Sequence, residues 1–361
     1  MFYKHNGENL LNSSNTNSIS LSSNPMYNFL AVNVCGLNSK LKYRNIHEIV
    51  CNHDFICLCE IRTPFIPYDE FPGYDAIISN RKCKKNGIET DTLTGLAILI
   101  KTCDKFSFQI IEAKKTNCEW ILWVKVCDLK NEFSFLLGST YIPCETSSYY
   151  SDNIYETIVE DVLDLTTEYQ LPFILMGDFN SRCGNLSDTV IYEKEITSIT
   201  GFSDEDSNYI EQLGLLQRKS EDGVVNRNGK DLITFCKSFN LKILNGRFGS
   251  DKGVGMYTCH TPRGESVVDY ALVSDCLIPQ VKNFLVDPLD TTLSDVHSAI
   301  HVSLSNCSST PLRTEQLGTE QPEATNSNNL QGDSRPTYRD KWKPDIGDTF
   351  SHSFNEDNVD H

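Results

Sequence analysis

In LPFILMGDFNSRC, residues 171–183, a carboxylate and a carboxamide two positions apart close an apolar run. Phe173 to Met176 is too short for a typical helix and stops at Gly177, so it reads as a buried strand ending in a tight turn. At such an end Asp178 and Asn180 share one edge and can face a common cleft. Asp178 would accept a proton there, and Asn180 would donate to a phosphate oxygen. Taken alone, the motif equally fits an Asx turn that merely ends a strand. Other polar groups along the chain bear on the choice.

Five further strand ends carry comparable groups. Phe29 to Val32 make a short buried strand that ends at Asn33 and Gly36, and DFICLCEIRT carries Glu60 at its end with Arg62 and Thr63 close behind. A carboxylate between Cys59 and Ile61 is costly to bury unless a metal or the Arg62 cation neutralises it. Tyr141 follows EFSFLLGST, with its hydroxyl expected at the same end as Glu60. Asp269, between Val268 and Tyr270, needs a partner, and His297 in LSDVHSAIHVSL, preceded by Ser294 and Asp295, is a good candidate. If these strands gather into two packed sheets, Asn33, Glu60, Tyr141, Asp178 with Asn180, Asp269, and Asp295 with His297 converge on one rim. Carboxylates plus an asparagine form an all-oxygen site suited to Mg²⁺ or Mn²⁺ rather than zinc. Phosphodiester hydrolysis needs an activated water, charge neutralisation and help for the leaving oxygen, and this set supplies all three.

The elements that must position these groups follow from periodicity. Helical spacing is expected from Ser39 to Cys51, through Ile154, Ile158, Val162 and Leu165, and from Gly229 to Asn240. The second of these leads straight into the strand at 173–176, an α/β crossover. TGLAILIK, EWILWVKVCD and EFSFLLGSTYIPC suggest three successive strands of one antiparallel sheet. Met256 to Cys259 and Val267 to Val273 suggest a hairpin turning through Pro262 and Gly264. Residues 64–92 read as a loop, with RKCKK at 81–85 either solvated or lying along a phosphate backbone. Residues 185–222 read as an acidic surface excursion.

Composition bounds the reading. The chain has 361 residues, 39% apolar and 22% charged, enough for a sizeable core. Residues 1–26 are a polar leader and residues 306–361 an acidic polar tail, both expected to be disordered, with YRDKWKP as a possible docking segment. That leaves residues 27–305 as the folded domain. No secretory leader and no apolar run long enough for a membrane span is read. Fourteen cysteines lie mostly inside apolar runs, which fits buried thiols in a reducing compartment. The expected location is therefore intracellular, nuclear or cytoplasmic, and not secreted. The formal charge of −17 argues against indiscriminate nucleic-acid binding but leaves room for a basic groove or a metal-bridged contact. No stable protein partner is implied, and the oligomeric state is left open.

The order of these motifs resembles the endonuclease/exonuclease/phosphatase (DNase I-like) superfamily over residues 28–304. NVCGLNSKL and the run from VNRNGKDLITF to SVVDYALVS look most like the endonuclease domain of non-LTR (LINE-like) retrotransposon polyproteins. The resemblance implies a four-layer α/β sandwich, two packed mainly antiparallel sheets flanked by helices. It also implies a Mg²⁺- or Mn²⁺-dependent endonuclease that nicks one DNA strand. Glu60 would bind the metal with Asn33 and Asp295 close to it, and Asp178 would deprotonate the attacking water. Asn180, His297 and Tyr141 would hold phosphate oxygens, His297 being oriented by Asp269. Thr258 and Ser266 match positions facing the nucleic acid, and Arg263 at the turn is expected to enter a DNA groove. The alternatives are a phosphatase or phosphodiesterase of the same fold acting on lipid or RNA, and a catalytically impaired remnant of an element. Residues 307–361 are too few for a reverse transcriptase, so a truncated or domesticated element or a fragment of a longer product is expected. Three positions depart from the pattern: Cys35 follows NV, Cys144 follows the Tyr-x-Pro element, and SDH appears as SDVH. A one-residue insertion in a strand turns the side chain over unless a bulge restores its aim.

Overall fold

In a computed structural model, residues 26–85, 88–111, 118–189 and 217–305 are described, without the side chains of residues 80–94. The leader up to Pro25, the tail, most of the acidic excursion and the RKCKK side chains lie outside the described residues.

The described residues form two six-stranded sheets and a two-stranded ribbon. In the first, β1 (Met26–Asn33) lies parallel to β2 (Phe55–Cys59) and antiparallel to β14 (Ile300–Ser305). β13 (Val281–Val286) completes one edge, and β4 (Ile88–Lys101) with β3 (Tyr74–Lys85) the other, in the order β13-β14-β1-β2-β4-β3. The second sheet runs β5 (Phe106–Ile110), β6 (Ile121–Asp128), β7 (Phe133–Tyr141), β8 (Phe173–Asp178), β12 (Asp269–Ser274) and β9 (Leu241–Ile243). Only the β1/β2 and β7/β8 pairs are parallel, so both sheets are mainly antiparallel as expected.

Packing follows the alternation along the strands. Tyr27, Phe29, Phe55, Phe135, Ile174 and Met176 point between the sheets and form the central core. Leu30, Val32, Ile56 and Leu58 point the other way, against α1 (Arg44–Cys51). Trp123, Leu175 and Leu272 face α2 (Ile154–Tyr169) and α3 (Arg227–Ser238). Four layers result.

Three local expectations change. TGLAILIK becomes the end of β4 in the first sheet, whereas β6 and β7 lie in the second. Alternation identifies a strand but not its partner. Residues 64–92, read as a loop, contain β3 and the start of β4. There the register sets Lys82 opposite Asp91 and Lys84 opposite Glu89, in a stretch whose sequence has no apolar alternation. The expected long hairpin is a short ribbon, β10 (Cys259–Thr261) with β11 (Gly264–Ser266), and the chain then switches into β12 of the second sheet.

This topology decides where chemistry can occur. The C-terminal ends of β1, β2, β7 and β8 and the N-terminal ends of β12 and β14 all lie at one end of the sandwich. Gly177 permits the close approach just before Asp178: its φ is +140°, and a Cβ there would sit 2.1 Å from the Thr140 carbonyl oxygen.

Candidate active site

The register places Asp178, the last residue of β8, directly opposite Asp269, the first of β12, and beside Tyr141, the last of β7. Asp178 is buried; its Oδ1 accepts the Asn180 N–H at 2.9 Å and its Oδ2 accepts Asn33 Nδ2 at 2.9 Å. The same Asn33 amide donates to Glu60 Oε1 at 3.1 Å, so one buried side chain at the end of β1 ties the two carboxylates together. The remaining Glu60 oxygen pairs with the half-exposed Arg62 guanidinium. Cys35, Glu60, Arg62 and Asn180 all have left-handed backbone, with φ between 46° and 51°. Such conformations are costly for non-glycine residues, and they cluster here at the strand ends.

His297 precedes β14. Its Nδ1 is 2.9 Å from Asp269 Oδ2, and its Nε2 is 3.8 Å from Asp178 Oδ2. Burial opposes a charge on this imidazole, but Asp269 and then Asp178 outweigh it and hold the His297 pKa well above the ordinary histidine value. Burial is also the main reason, ahead of the Asp269 charge, that the Asp178 carboxyl is pushed up to about 7. Two like charges share one desolvated pocket, and the imidazolium between them relieves only part of the repulsion. The Tyr141 hydroxyl is raised by burial and by the neighbouring Glu60 and Asp178.

The inserted Val296 is absorbed as a local irregularity. Its carbonyl accepts His260 N–H at 2.7 Å, His297 bridges to Cys259, and Ser298 N–H reaches the Thr258 carbonyl at 2.8 Å. Ser294 Oγ accepts the His297 N–H at 3.1 Å and fixes the entry of the segment. His297 thus keeps its aim and Asp295 loses it. The expectation that Asp295 stands beside the metal is corrected: its carboxylate lies 2.5 Å from the ammonium of Lys40 and is 65% exposed. A second correction concerns Thr258, which does not face a nucleic acid. It is buried, and its hydroxyl accepts the N–H groups of Val268 and Asp269 at 3.0 Å each, setting the start of β12. Ser266 is half-buried on β11, and Arg263 is exposed at the ribbon tip. Asn180 is half-buried, with its amide donating to the Ile142 carbonyl at 2.8 Å.

Supporting residues not singled out from sequence are Lys40 and Asn245. Asn245 is buried in the NGR motif and donates to the Asp269 carbonyl at 3.0 Å. Lys40 Nζ holds both Asp295 and the Thr291 carbonyl, so it links the arm after β1 to the segment leading into His297. Its only sequence signal is a lysine among the apolar positions of LNSKLK, which names no partner. Lys40 is 5% exposed, so removing Asp295 strands a buried ammonium, whereas removing Lys40 leaves a hydrated carboxylate. Asp295→Ala is therefore expected to destabilise the protein by about 1–3 kcal/mol, more than Lys40→Met, in paired denaturant titrations.

Glu60 and Asp178, tied together by Asn33, offer carboxylate oxygens of the kind Mg²⁺ or Mn²⁺ takes. The Glu60 carboxylate is paired with the Arg62 guanidinium, the alternative neutralising partner, which a metal ion would have to share or displace. These carboxylate oxygens fit a hard divalent ion, which Glu60 would hold. Asn33 Oδ1 accepts the Cys35 N–H at 3.1 Å and its amide group faces the carboxylates, so Asn33 acts more as their bridge than as a ligand.

Comparisons with known proteins bear on the fold and the family. The crystal structure of the AP endonuclease LMAP from Leishmania major matches with a TM-score of 0.55 at 16% identity, covering 78% of this chain and 88% of that one. The endonuclease domain of TRAS1, a telomere-specific non-LTR retrotransposon, matches at 0.48 and 14% identity, covering 78% and 99%. The 3′ phosphatase NExo from Neisseria, solved with a product DNA hairpin, matches at 0.47 and 16%, covering 77% and 99%. At these identities the first shows the fold, and the other two carry no weight in choosing a branch. No curated protein matches by sequence. The Endonuclease/Exonuclease/phosphatase family matches residues 30–295, which span all of the strand ends described above except the turn into His297. By that match, by the sandwich and by the carboxylates gathered at its rim, the chain belongs to the endonuclease/exonuclease/phosphatase family.

Proposed function

We propose that this protein is a divalent-metal-dependent phosphodiester hydrolase, and specifically a DNA endonuclease that nicks one strand. The observation that carries this reading is the buried cluster of Asp178, Asp269 and His297, whose ligand-capable atoms lie within 4.8 Å of one another. Asn33 adds Glu60 to that cluster. In the proposed reaction Asp178 accepts the proton of the attacking water, as suits a carboxyl whose pKa is pushed up to about 7. His297, kept as an imidazolium by Asp269, donates from Nε2 to a non-bridging phosphate oxygen. Asn180 and the Tyr141 hydroxyl donate to the remaining phosphate oxygens. A Mg²⁺ or Mn²⁺ ion held by Glu60 would supply Lewis-acid neutralisation of the phosphate and the leaving oxygen.

The retrotransposon-type branch is part of the proposal. Its support is the β10–β11 ribbon, whose backbone is bonded to the His297 segment, which puts Arg263 on an exposed arm attached to the catalytic strand. Arg263→Ala is expected to shift cleavage-site preference while leaving the turnover on a preferred site within about threefold, as read by sequencing nick positions. An intracellular site of action, nuclear or cytoplasmic, accords with the proposed substrate. No helix among the described residues is long and apolar enough to cross a membrane.

Supercoiled plasmid with Mg²⁺, beside an Asp178→Ala control, tests the reading. Conversion to the relaxed circle that the control abolishes is the expected result. Release of inorganic phosphate from small substrates without relaxation would instead favour a phosphatase of the same fold.

A further inference from the structure

Two imidazoles that take no part in the reaction proposed above meet between α1 and the first sheet. His53, just ahead of β2, directs Nδ1 at the Ile49 carbonyl oxygen at 2.6 Å and Nε2 at His301 Nδ1 at 2.9 Å. His301 lies on β14, and its Nε2 is 2.7 Å from Asp287 Oδ2. Both rings are shielded from water, since His53 is buried and the His301 side chain is 14% exposed.

These contacts fix how many protons the pair holds. A carbonyl oxygen only accepts, so His53 Nδ1 carries a hydrogen, and an ionised carboxylate only accepts, so His301 Nε2 carries one as well. Were both rings neutral, the two remaining nitrogens would face each other at 2.9 Å as bare lone pairs. Were both charged, two N–H groups would point at each other. One extra proton between His53 Nε2 and His301 Nδ1 turns every contact into a hydrogen bond. The pair then bears a single positive charge, and Asp287 stands against it.

The surroundings suit one charge better than two. Burial, ahead of every other influence, holds the His53 pKa below the ordinary histidine value; His301 pushes the same way, and the Ile49 carbonyl, Asp54 and Asp287 oppose them. Glu48 on α1, exposed and paired with Arg44, lines the same cleft as Asp287, and Tyr74 on β3 donates to the His53 carbonyl at 2.7 Å. The backbone beside the pair is held in place. Asp54 N–H donates to the Asn28 carbonyl at 2.8 Å, and Asp54 Oδ2 accepts the Asn28 N–H at 2.9 Å.

We propose that His53 and His301 share one proton and act as a pH-sensitive clasp, pinning the entry of β2 to β14 and loosening when that proton is lost or a second is added. β2 leads to Glu60 and β14 follows His297, so the clasp joins the two strands next to those groups. It does not depend on the nuclease chemistry. An unfolded chain holds two protons on this pair well below pH of about 6.5 and none well above it, against one in the folded state. On the acid side the unfolded chain binds more protons and stability rises with pH; on the alkaline side the folded protein binds more and stability falls. The unfolding constant set by the pair therefore changes by up to about tenfold per pH unit, in opposite directions, on the two sides of about 6.5.

Denaturant titrations of the full-length protein across this range, wild type beside the double variant His53→Gln/His301→Gln, isolate the effect. The advantage of the wild type over the double variant is expected to peak near pH of about 6.5. An advantage that only rises with pH means two neutral rings, one that only falls means two charged rings, and a flat one means rings that titrate as they do when unfolded. Each of these overturns the clasp. Nitrogen NMR of the imidazoles in the wild type decides the matter even if the double variant fails to fold. Three protonated ring nitrogens and one bare one are expected across the pair near the same pH, and two or four protonated nitrogens refute the shared proton.

Discussion

Asp178→Asn is expected to lower the nicking rate by roughly 10³-fold or more while raising the melting temperature at pH 8. The two effects have one cause. Asp178 is buried opposite Asp269, and its pKa is pushed from 3.8 to about 7. A carboxyl raised in the folded state makes ionisation costly to the fold. That cost is absent below the ordinary carboxylate range, grows between pH 4 and 7, and is full above about 7, where it is on the order of a few kcal/mol. Asparagine keeps the size and one acceptor for Asn33 but cannot ionise, so it relieves the cost and removes the base. The wild-type rate should rise with pH to a plateau, with an apparent pKa near 7 belonging to the cluster as a whole. A variant that melts lower than the wild type at pH 8, or that retains more than about a tenth of the rate, would contradict this account.

Asp269→Asn should cost roughly 10²-fold in rate and move both sides of the pH profile. Asp269 is the largest influence holding the His297 proton on, and its charge is second only to burial in raising Asp178. Without it the His297 pKa falls toward the ordinary value, and so does that of Asp178. The acid limb of the rate profile should move to lower pH, and the alkaline limb, where the imidazolium is lost, should move down as well. For stability the sign is the reverse of that for Asp178. A histidine raised in the folded state contributes stability that is fully present below its unfolded pKa of about 6.5 and is lost as pH rises through the folded value. The gap in melting temperature between wild type and Asp269→Asn should therefore be wide near pH 6 and narrow on the alkaline side. Titration of the His297 ring protons by NMR reads the same shift directly. An unchanged His297 titration would mean that Asp269 does not govern the imidazole.

Much of the site could be read from strand endings. Asp178 after FILMG, Glu60 after FICLC and Asn33 after FLAV are polar groups forced to the ends of apolar runs, because a run buried on both faces leaves them nowhere else. A buried carboxylate that needs a partner makes the pairing of Asp269 with His297 legible, although 28 positions separate them. The resemblance sets Thr258 toward the nucleic acid, yet it is buried. A hydroxyl beside a turn satisfies either water or the backbone, and only the switch of the chain from β11 into β12 leaves two N–H groups needing an acceptor. Asp295 was misplaced because spacing alone cannot say where an inserted residue is absorbed.

Alternation of apolar and polar residues, strand length and the glycine before Asp178 were enough to mark most strands and the polar groups left at their ends, whereas the four layers and the mainly antiparallel sheets followed from the family resemblance. Strands and their ends are local properties, written within a few residues of each position. Which ends meet, which carboxylate turns to Lys40 and which thiol stands beside His297 were decided by strand order and by the irregularity at Val296. Contacts between residues 40 and 295, or 259 and 297, exist only once distant segments share one rim. No periodicity along the chain encodes such a meeting, because its energy comes from partners that are remote in sequence.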